Sequence, residues 1–143
     1  MVNHESVIYW DSSAILSTVF SDSHSESAKI WVEKRGVHFI STLAFAEFCA
    51  VISRMRREQL LNDIVSQAVF EVLDSGPWRR IFSYPELNIL RSLSARWPLR
   101  GADLWHLATA KSLSHDFPEL YLLSFDNRLK QAAEGERLCD LID

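Results

Sequence analysis

Two cysteines, four glycines and four prolines in 143 residues already rule out several fold classes. So few glycines and prolines exclude a collagen-like or linker-rich chain. Cys49 and Cys139 sit among apolar neighbours without metal-ligand spacing. That argues against a disulfide framework or a zinc site, and for reduced core thiols in a cytoplasmic protein. The longest apolar runs reach four or five residues, as in Phe48–Ile52. A membrane-spanning helix needs about 20, so no span is expected. The first six residues carry no basic cluster, and Asp11 interrupts the first apolar segment, so no secretory signal is expected either. A basic excess is also missing. The chain has 15 Lys and Arg against 19 Asp and Glu, a net charge of −4. Any contact with nucleic acid must come from where the charges lie, not from their sum.

What is present is ordinary globular material, 48% apolar and 24% charged. That is enough for one core, and no repeat or linker divides the chain, so residues 1–143 read as a single domain with 1–6 as a short tail. Val7-Ile8-Tyr9-Trp10 reads as a buried strand, ending at Asp11-Ser12-Ser13, where side-chain oxygens favour a helix start. The pattern then predicts helices over 14–20 and 23–34, the second stopped by Gly36 as a C′ glycine. Residues 37–40 read as a strand and Ser41-Thr42 as the cap of a helix reaching Arg57. A helix over 60–73 ends at Ser75-Gly76-Pro77, and residues 79–84 are ambiguous, a possible connecting strand. Helices over 86–96 and 102–114, a strand over 120–123, a short helix over 126–133 and a last strand over 137–142 complete the chain. Alternating strands and helices imply a three-layer α/β/α fold around a parallel sheet. Ligands in such folds bind beyond the carboxyl ends of the strands.

Four acids interrupt segments that otherwise belong in a core. Asp11 is the only charged residue between Ser6 and Ser21, and Glu47 the only one between Phe39 and Ser53. Asp103 stands alone between Gly101 and Ala110, and Asp126 between Leu120 and Asn127. Asp11 and Asp126 follow apolar strands; Glu47 and Asp103 sit in the opening turns of helices. All four can meet at one sheet edge. Two unit charges about 4 Å apart repel by roughly 4 kcal/mol at an effective dielectric near 20. Converging carboxylates therefore take up protons or bind a cation. An oxygen-only donor set favours Mg²⁺ or Mn²⁺ over zinc.

Each acid also has a purely structural reading. Asp11 and Asp126 suit helix N-caps, Asp103 suits the positive end of a helix dipole, and Glu47 suits a buried ion pair with an arginine. None of these explains why all four fall where a parallel sheet places its site.

The segment Ile8-Tyr9-Trp10-Asp11-Ser12-Ser13-Ala14-Ile15-Leu16 resembles the opening strand and turn of the PIN domain, the ribonuclease fold of VapC-type toxins. Glu47, soon after Ser41-Thr42, resembles that family's second acid. Leu99-Arg100-Gly101-Ala102-Asp103-Leu104-Trp105-His106-Leu107-Ala108 resembles the segment carrying the third. Leu123-Ser124-Phe125-Asp126-Asn127-Arg128-Leu129, with Ala132, Ala133 and Gly135, resembles the segment with the fourth. Ser124 stands where Thr is common and Trp105 where a smaller apolar residue is usual. The resemblance covers nearly the whole chain in order. It implies a sheet of about five parallel strands and a Mg²⁺- or Mn²⁺-dependent hydrolysis of RNA phosphodiesters. It further implies neutralisation by a small antitoxin and pairing as a homodimer.

On this reading Asp11, Glu47, Asp103 and Asp126 hold the metal, and Ser13 or Ser124 orients a carboxylate or a water. Attack by water leaves a 5′-phosphate and a 3′-hydroxyl. Arg100, three residues before Asp103, is the leading guide for phosphates. Arg54, Arg56 and Arg57, Arg79 and Arg80, and Arg96 are further basic candidates. His106, one turn after Asp103, reads as a packed, hydrogen-bonded core histidine, with general-acid catalysis as its functional alternative. The tryptophans are core by default, Trp10 first among them. Apolar surface near residues 28–31 and 45–52 offers a groove for an amphipathic antitoxin helix. Two rival functions stand beside the nuclease. One is a PIN scaffold that binds RNA or protein without cutting. The other is an Asp-based phosphotransfer or receiver domain, which lacks its second aspartate at Ser13 and its lysine near Ser124.

Overall fold

β1 (Ser6–Trp10) is central because its side chains are apolar on both faces: Val7, Ile8, Tyr9 and Trp10 are all buried. A strand of that kind needs a layer of helices on each side. The computed structural model describes residues 5–140 and supplies both layers. After β1 come α1 (Ser12–Val19), α2 (Ser25–Val32), β2 (Gly36–Ser41), α3 (Thr42–Arg57) and α4 (Asp63–Ser75). They are followed by β3 (Trp78–Ile81), α5 (Leu87–Arg96), α6 (Gly101–Leu113), β4 (Leu120–Leu123) and α7 (Asn127–Gly135).

The strands pair in the order β3-β2-β1-β4, all parallel. Val7 and Tyr9 face one core with Leu93, Leu107, Ala108, Leu129 and Ala132, supplied by α5, α6 and α7. Ile8 and Trp10 face the other with Ile15, Ala44, Phe48, Ile52, Val69 and Leu73, supplied by α1, α3 and α4. The expected three-layer α/β/α arrangement is present. Chain order reverses at β1, which has β2 on one side and β4 on the other. The carboxyl ends of β1 and β4 therefore flank a topological switch point.

The sheet has four strands among the described residues, not five. Of residues 79–84, ambiguous in sequence, 79–81 join Trp78 in the edge strand β3, with Trp78 turned inward and Arg79 and Arg80 exposed, and 82–84 lie beyond it. The strand expected over 137–142 does not form within 137–140, and its last two residues lie outside the described ones. Arg137 takes a left-handed φ of 60°, which breaks the extended path right after α7. One backbone hydrogen bond survives beside β4, from Leu122 N–H to the Leu138 carbonyl at 2.7 Å.

Gly36 also differs from expectation. It is the first residue of β2 at φ 136°, three residues beyond the α2 C-cap at Glu33. A β-carbon there would stand 1.9 Å from the Ser6 carbonyl oxygen. Glycine is needed for close approach to β1, not for ending a helix.

Candidate active site

β1 delivers Asp11 to the carboxyl edge of the sheet, where its backbone N–H donates to Leu123 O at 3.1 Å. Asp11 caps α1: Oδ1 accepts from Ala14 N–H at 2.8 Å. Ser13 Oγ–H is shared between the two carboxylate oxygens at 2.8 and 2.9 Å. The Ser124 hydroxyl donates to Oδ2 from the end of β4. Both serines singled out in the sequence therefore contact the same carboxylate, one from each side of the switch point. Asp126 caps α7, accepting from Arg128 N–H at 3.1 Å and Leu129 N–H at 3.0 Å through Oδ1. The capping readings of Asp11 and Asp126 are thus correct as local structure. They leave Asp126 Oδ2 without a hydrogen bond among the described residues.

Ser41 caps α3, its Oγ accepting from Ala44 N–H at 3.0 Å, and five residues into that helix stands Glu47. The structural alternative, an ion pair with an arginine, is not found among the described residues. Glu47 Oε1 instead meets His106 Nε2 at 2.7 Å. Asp103 lies in the first turn of α6 and, with Arg100, Asp126, Asn127 and Arg128, lines a cavity of about 380 Å³. Among the described residues none of the four acids forms an ion pair with a lysine or arginine.

Burial pushes the Asp11 carboxyl above its ordinary range, although the bonds from Ser124, Ala14 and Ser13 pull against it. Asp103 is pushed up as well, first by burial and then by the field of Asp126, with Glu47 adding to it. His106 and Arg100 oppose that shift. Tyr9 in turn feels both Asp11 and Glu47. The four acids thus act on the same neighbourhood, with less positive charge than negative.

As the side chains stand, no three His, Cys, Asp or Glu residues among those described are grouped to ligate one ion. The donor chemistry still suits a hard cation. Magnesium takes one or two carboxylates and keeps several waters. Asp103 and Asp126 share a cavity, and the repulsion between them is what a divalent ion relieves.

The PIN domain profile matches residues 8–135 of this chain. The chain belongs to the PIN domain family. Ribonuclease VapC35 of Mycobacterium tuberculosis is 31% identical to this PIN domain over 134 residues, which is 90% of this chain and 91% of that protein. Solved structures that share its fold include two of note. One is M. tuberculosis VapC20, described as a sarcin-ricin loop cleaving toxin, with a TM-score of 0.58 and 15% identity over 87% of this chain and 94% of that one. The other is PAE2754 of Pyrobaculum aerophilum, with a TM-score of 0.60 and 16% identity over 92% and 82%.

Of the basic candidates, Arg100 reaches the acids of this PIN domain. Arg54 and Arg57 do not: they follow Glu47 by seven and ten residues on α3, roughly 10 and 15 Å further along the axis. Arg56 is paired with Asp63 at 2.6 Å, Arg80 with Asp74 at 2.7 Å and Arg96 with Glu136 at 2.6 Å. Three features escaped the sequence reading. Asn127 and Arg128 line the acid cavity, for which their place just after Asp126 was the available signal. His24, exposed as a helix start suggests, stacks on Phe125 at 4.6 Å beside the site. Tyr9 bonds His106, a contact across 97 residues that no local pattern signals.

The charge balance yields a measurable expectation. Asp103 holds its proton more tightly folded than unfolded, so at this position the metal-free fold is favoured at low pH. That contribution is lost as pH rises above 3.8 and through the folded value. Asp103→Asn cannot ionise and escapes the loss. In EDTA the two proteins should melt together near about pH 4. Near about pH 7 the variant should melt higher by about 1–3 °C, a modest gap because solvent screens a charge this exposed. A gap independent of pH in thermal melts contradicts this account.

Proposed function

We propose that this PIN domain is a VapC-type, Mg²⁺- or Mn²⁺-dependent endoribonuclease that hydrolyses RNA phosphodiester bonds, acting as the toxin of a toxin–antitoxin pair. Asp11, Glu47, Asp103 and Asp126 hold the ion directly or through water. The observation that carries this reading is the uncompensated acid set at the switch point. Asp11 is 3% exposed, without a cationic partner among the described residues, and is held by hydroxyls from the first turn of α1 and from the end of β4. A buried carboxylate kept that way is costly to the fold unless something else uses it. The similarity to Ribonuclease VapC35 supports the same substrate class.

Lewis-acid activation of water and neutralisation of charge on the phosphate are the chemistry that a bound ion supplies. The chain's own residues do the rest. Ser13 and Ser124 fix the Asp11 carboxylate, so no reorientation is needed when substrate arrives. Arg100 and Arg128, at the rim of the cavity, attract the phosphate backbone into a site that is otherwise negative.

RNA is the substrate partner; a small antitoxin and a second copy of the chain are the protein partners, in the cytoplasm. The apolar surface for them is only partly where the sequence placed it: within 28–31 and 45–52, Ile30 is exposed but Ala28, Phe48 and Ile52 are consumed by the core. Leu60 before α4, Ile64, Val65 and Val72 on α4, and Phe82, Tyr84 and Leu87 after β3 are exposed as well. No helix among the described residues is long and apolar enough to cross a membrane.

The direct test is cleavage of total RNA by the purified protein, with mapping of the new ends. Cleavage in Mg²⁺ or Mn²⁺, none in EDTA, and 5′-phosphate with 3′-hydroxyl ends are expected. Cleavage that persists in EDTA, or ends bearing a 2′,3′-cyclic phosphate, refutes the assignment.

A further inference from the structure

His106 is 1% exposed and Tyr9 fully buried, so every polar atom of this pair must find its partner inside the protein. Both imidazole nitrogens are engaged: Nδ1 with Tyr9 Oη at 2.7 Å, Nε2 with Glu47 Oε1 at 2.7 Å. The Tyr9 and His106 rings meet edge to face at 5.7 Å, which fixes the imidazole plane. A core histidine needs only satisfied nitrogens. This one is placed on a carboxylate of the candidate site.

We propose that Tyr9 and His106 form a directed hydrogen-bond chain that positions Glu47, with Tyr9 O–H donating to Nδ1 and Nε2–H donating to Glu47 Oε1. The proposal rests on the reading of Glu47 given above. An ionised carboxylate only accepts, so Nε2 must carry a proton. With that proton on Nε2, Nδ1 is the acceptor facing the phenol, whose O–H donates to it. The chain runs from Tyr9 on β1 through His106 on α6 to Glu47 on α3. It occupies Oε1 and leaves Oε2 without a hydrogen bond among the described residues, turned loose for an ion or a water. A glutamate side chain with three rotatable bonds gains a single orientation from this. His106 is a positioning residue in this scheme, not a catalytic one.

Four variants and one spectrum test it. His106→Leu should lower cleavage and Mn²⁺ affinity by roughly 10- to 100-fold, the usual cost of removing a group that orients a ligand. His106→Gln keeps an N–H donor near the Nε2 position and should recover most of the loss. His106→Leu also strands the Tyr9 hydroxyl in the core, so instability is expected in that variant. The double variant Tyr9→Phe/His106→Leu removes both buried polar groups and should regain thermal stability while staying poor in cleavage and in Mn²⁺ binding. A purely structural histidine predicts the reverse: activity returning with stability, and no special rescue by glutamine. Nitrogen-15 NMR of the metal-free protein near neutral pH should show His106 protonated at Nε2 and bare at Nδ1; a proton on Nδ1 alone overturns the chain. Glu47→Gln separates the two claims. If it is inactive while His106→Leu is fully active, the positioning proposal alone falls; if Glu47→Gln cleaves normally, the parent reading of Glu47 falls with it.

Discussion

Asp11→Asn is expected to reduce RNA cleavage by roughly 10²–10⁴-fold without lowering the melting temperature. A bound ion supplies several kcal/mol of transition-state stabilisation, and each 1.36 kcal/mol is about tenfold in rate. Asparagine keeps the shape and one acceptor oxygen, so the cap onto Ala14 N–H survives. The hydroxyls of Ser13 and Ser124, which now donate to the carboxylate, can rotate to accept from the new amide. What disappears is the buried negative charge, whose ionisation burial already opposes. The metal-free variant should therefore be as stable as the parent or slightly more so. Loss of function with no loss of stability is the signature of a site maintained at the fold's expense. Asp126→Asn should be milder, because Asp126 is exposed and one oxygen already serves α7. Undiminished cleavage by Asp11→Asn in Mg²⁺ ends the assignment of this residue.

The architecture was legible because β1 and β4 are uninterrupted apolar runs between segments of helical period, and only a parallel sheet covered on both faces accommodates such strands. The acids were legible for a related reason: each is a lone charge in a segment with no other. That logic singles out Glu47 but not its contact: an arginine pair is only its structural alternative, and the residue that meets it is a histidine 59 residues away. The fifth strand shows a second limit. Residues 137–140 carry the apolar pair Leu138-Cys139, yet the chain turns at Arg137, directly after Glu136, which is held by Arg96, Trp97 and Lys111. Those bonds draw the Glu136 carboxyl below its ordinary range despite its burial. Helix α4 shows a third. Of its apolar positions on helical spacing, Val69 faces the core beside Ser66 and Leu73, while Ile64, Val65 and Val72 are exposed. Periodicity reports an apolar stripe and not what covers it.

Trp10→Ala should be the most destabilising single change in β1, costing about 3–5 kcal/mol, a large part of the roughly 5–15 kcal/mol that holds a domain together. Trp10 is fully buried, packs edge to face on Trp78 at 5.4 Å, and donates Nε1–H to His38 Nδ1 at 2.9 Å. His38 Nε2 in turn lies 2.8 Å from the Lys34 carbonyl and donates to it. Both ring nitrogens of His38 are thus committed, and losing the indole strands one of them. Trp10→Phe isolates that effect: it keeps an aromatic ring, removes the donor, and should cost about 1–3 kcal/mol in urea unfolding at unchanged m-value. A phenylalanine variant as stable as the parent shows that the Trp10–His38 bond contributes nothing. The comparison also bears on the site. Trp10 lies opposite Ile40 in β2 and Leu123 in β4, and this register sets where Asp11 emerges beside Ser124. Trp10→Phe retains the register, so cleavage per folded molecule should stay near that of the parent while stability falls. Asp11→Asn, one residue later, should do the opposite. Two adjacent positions with inverse phenotypes place the boundary between fold and function at the end of β1; coupled losses at both place it elsewhere.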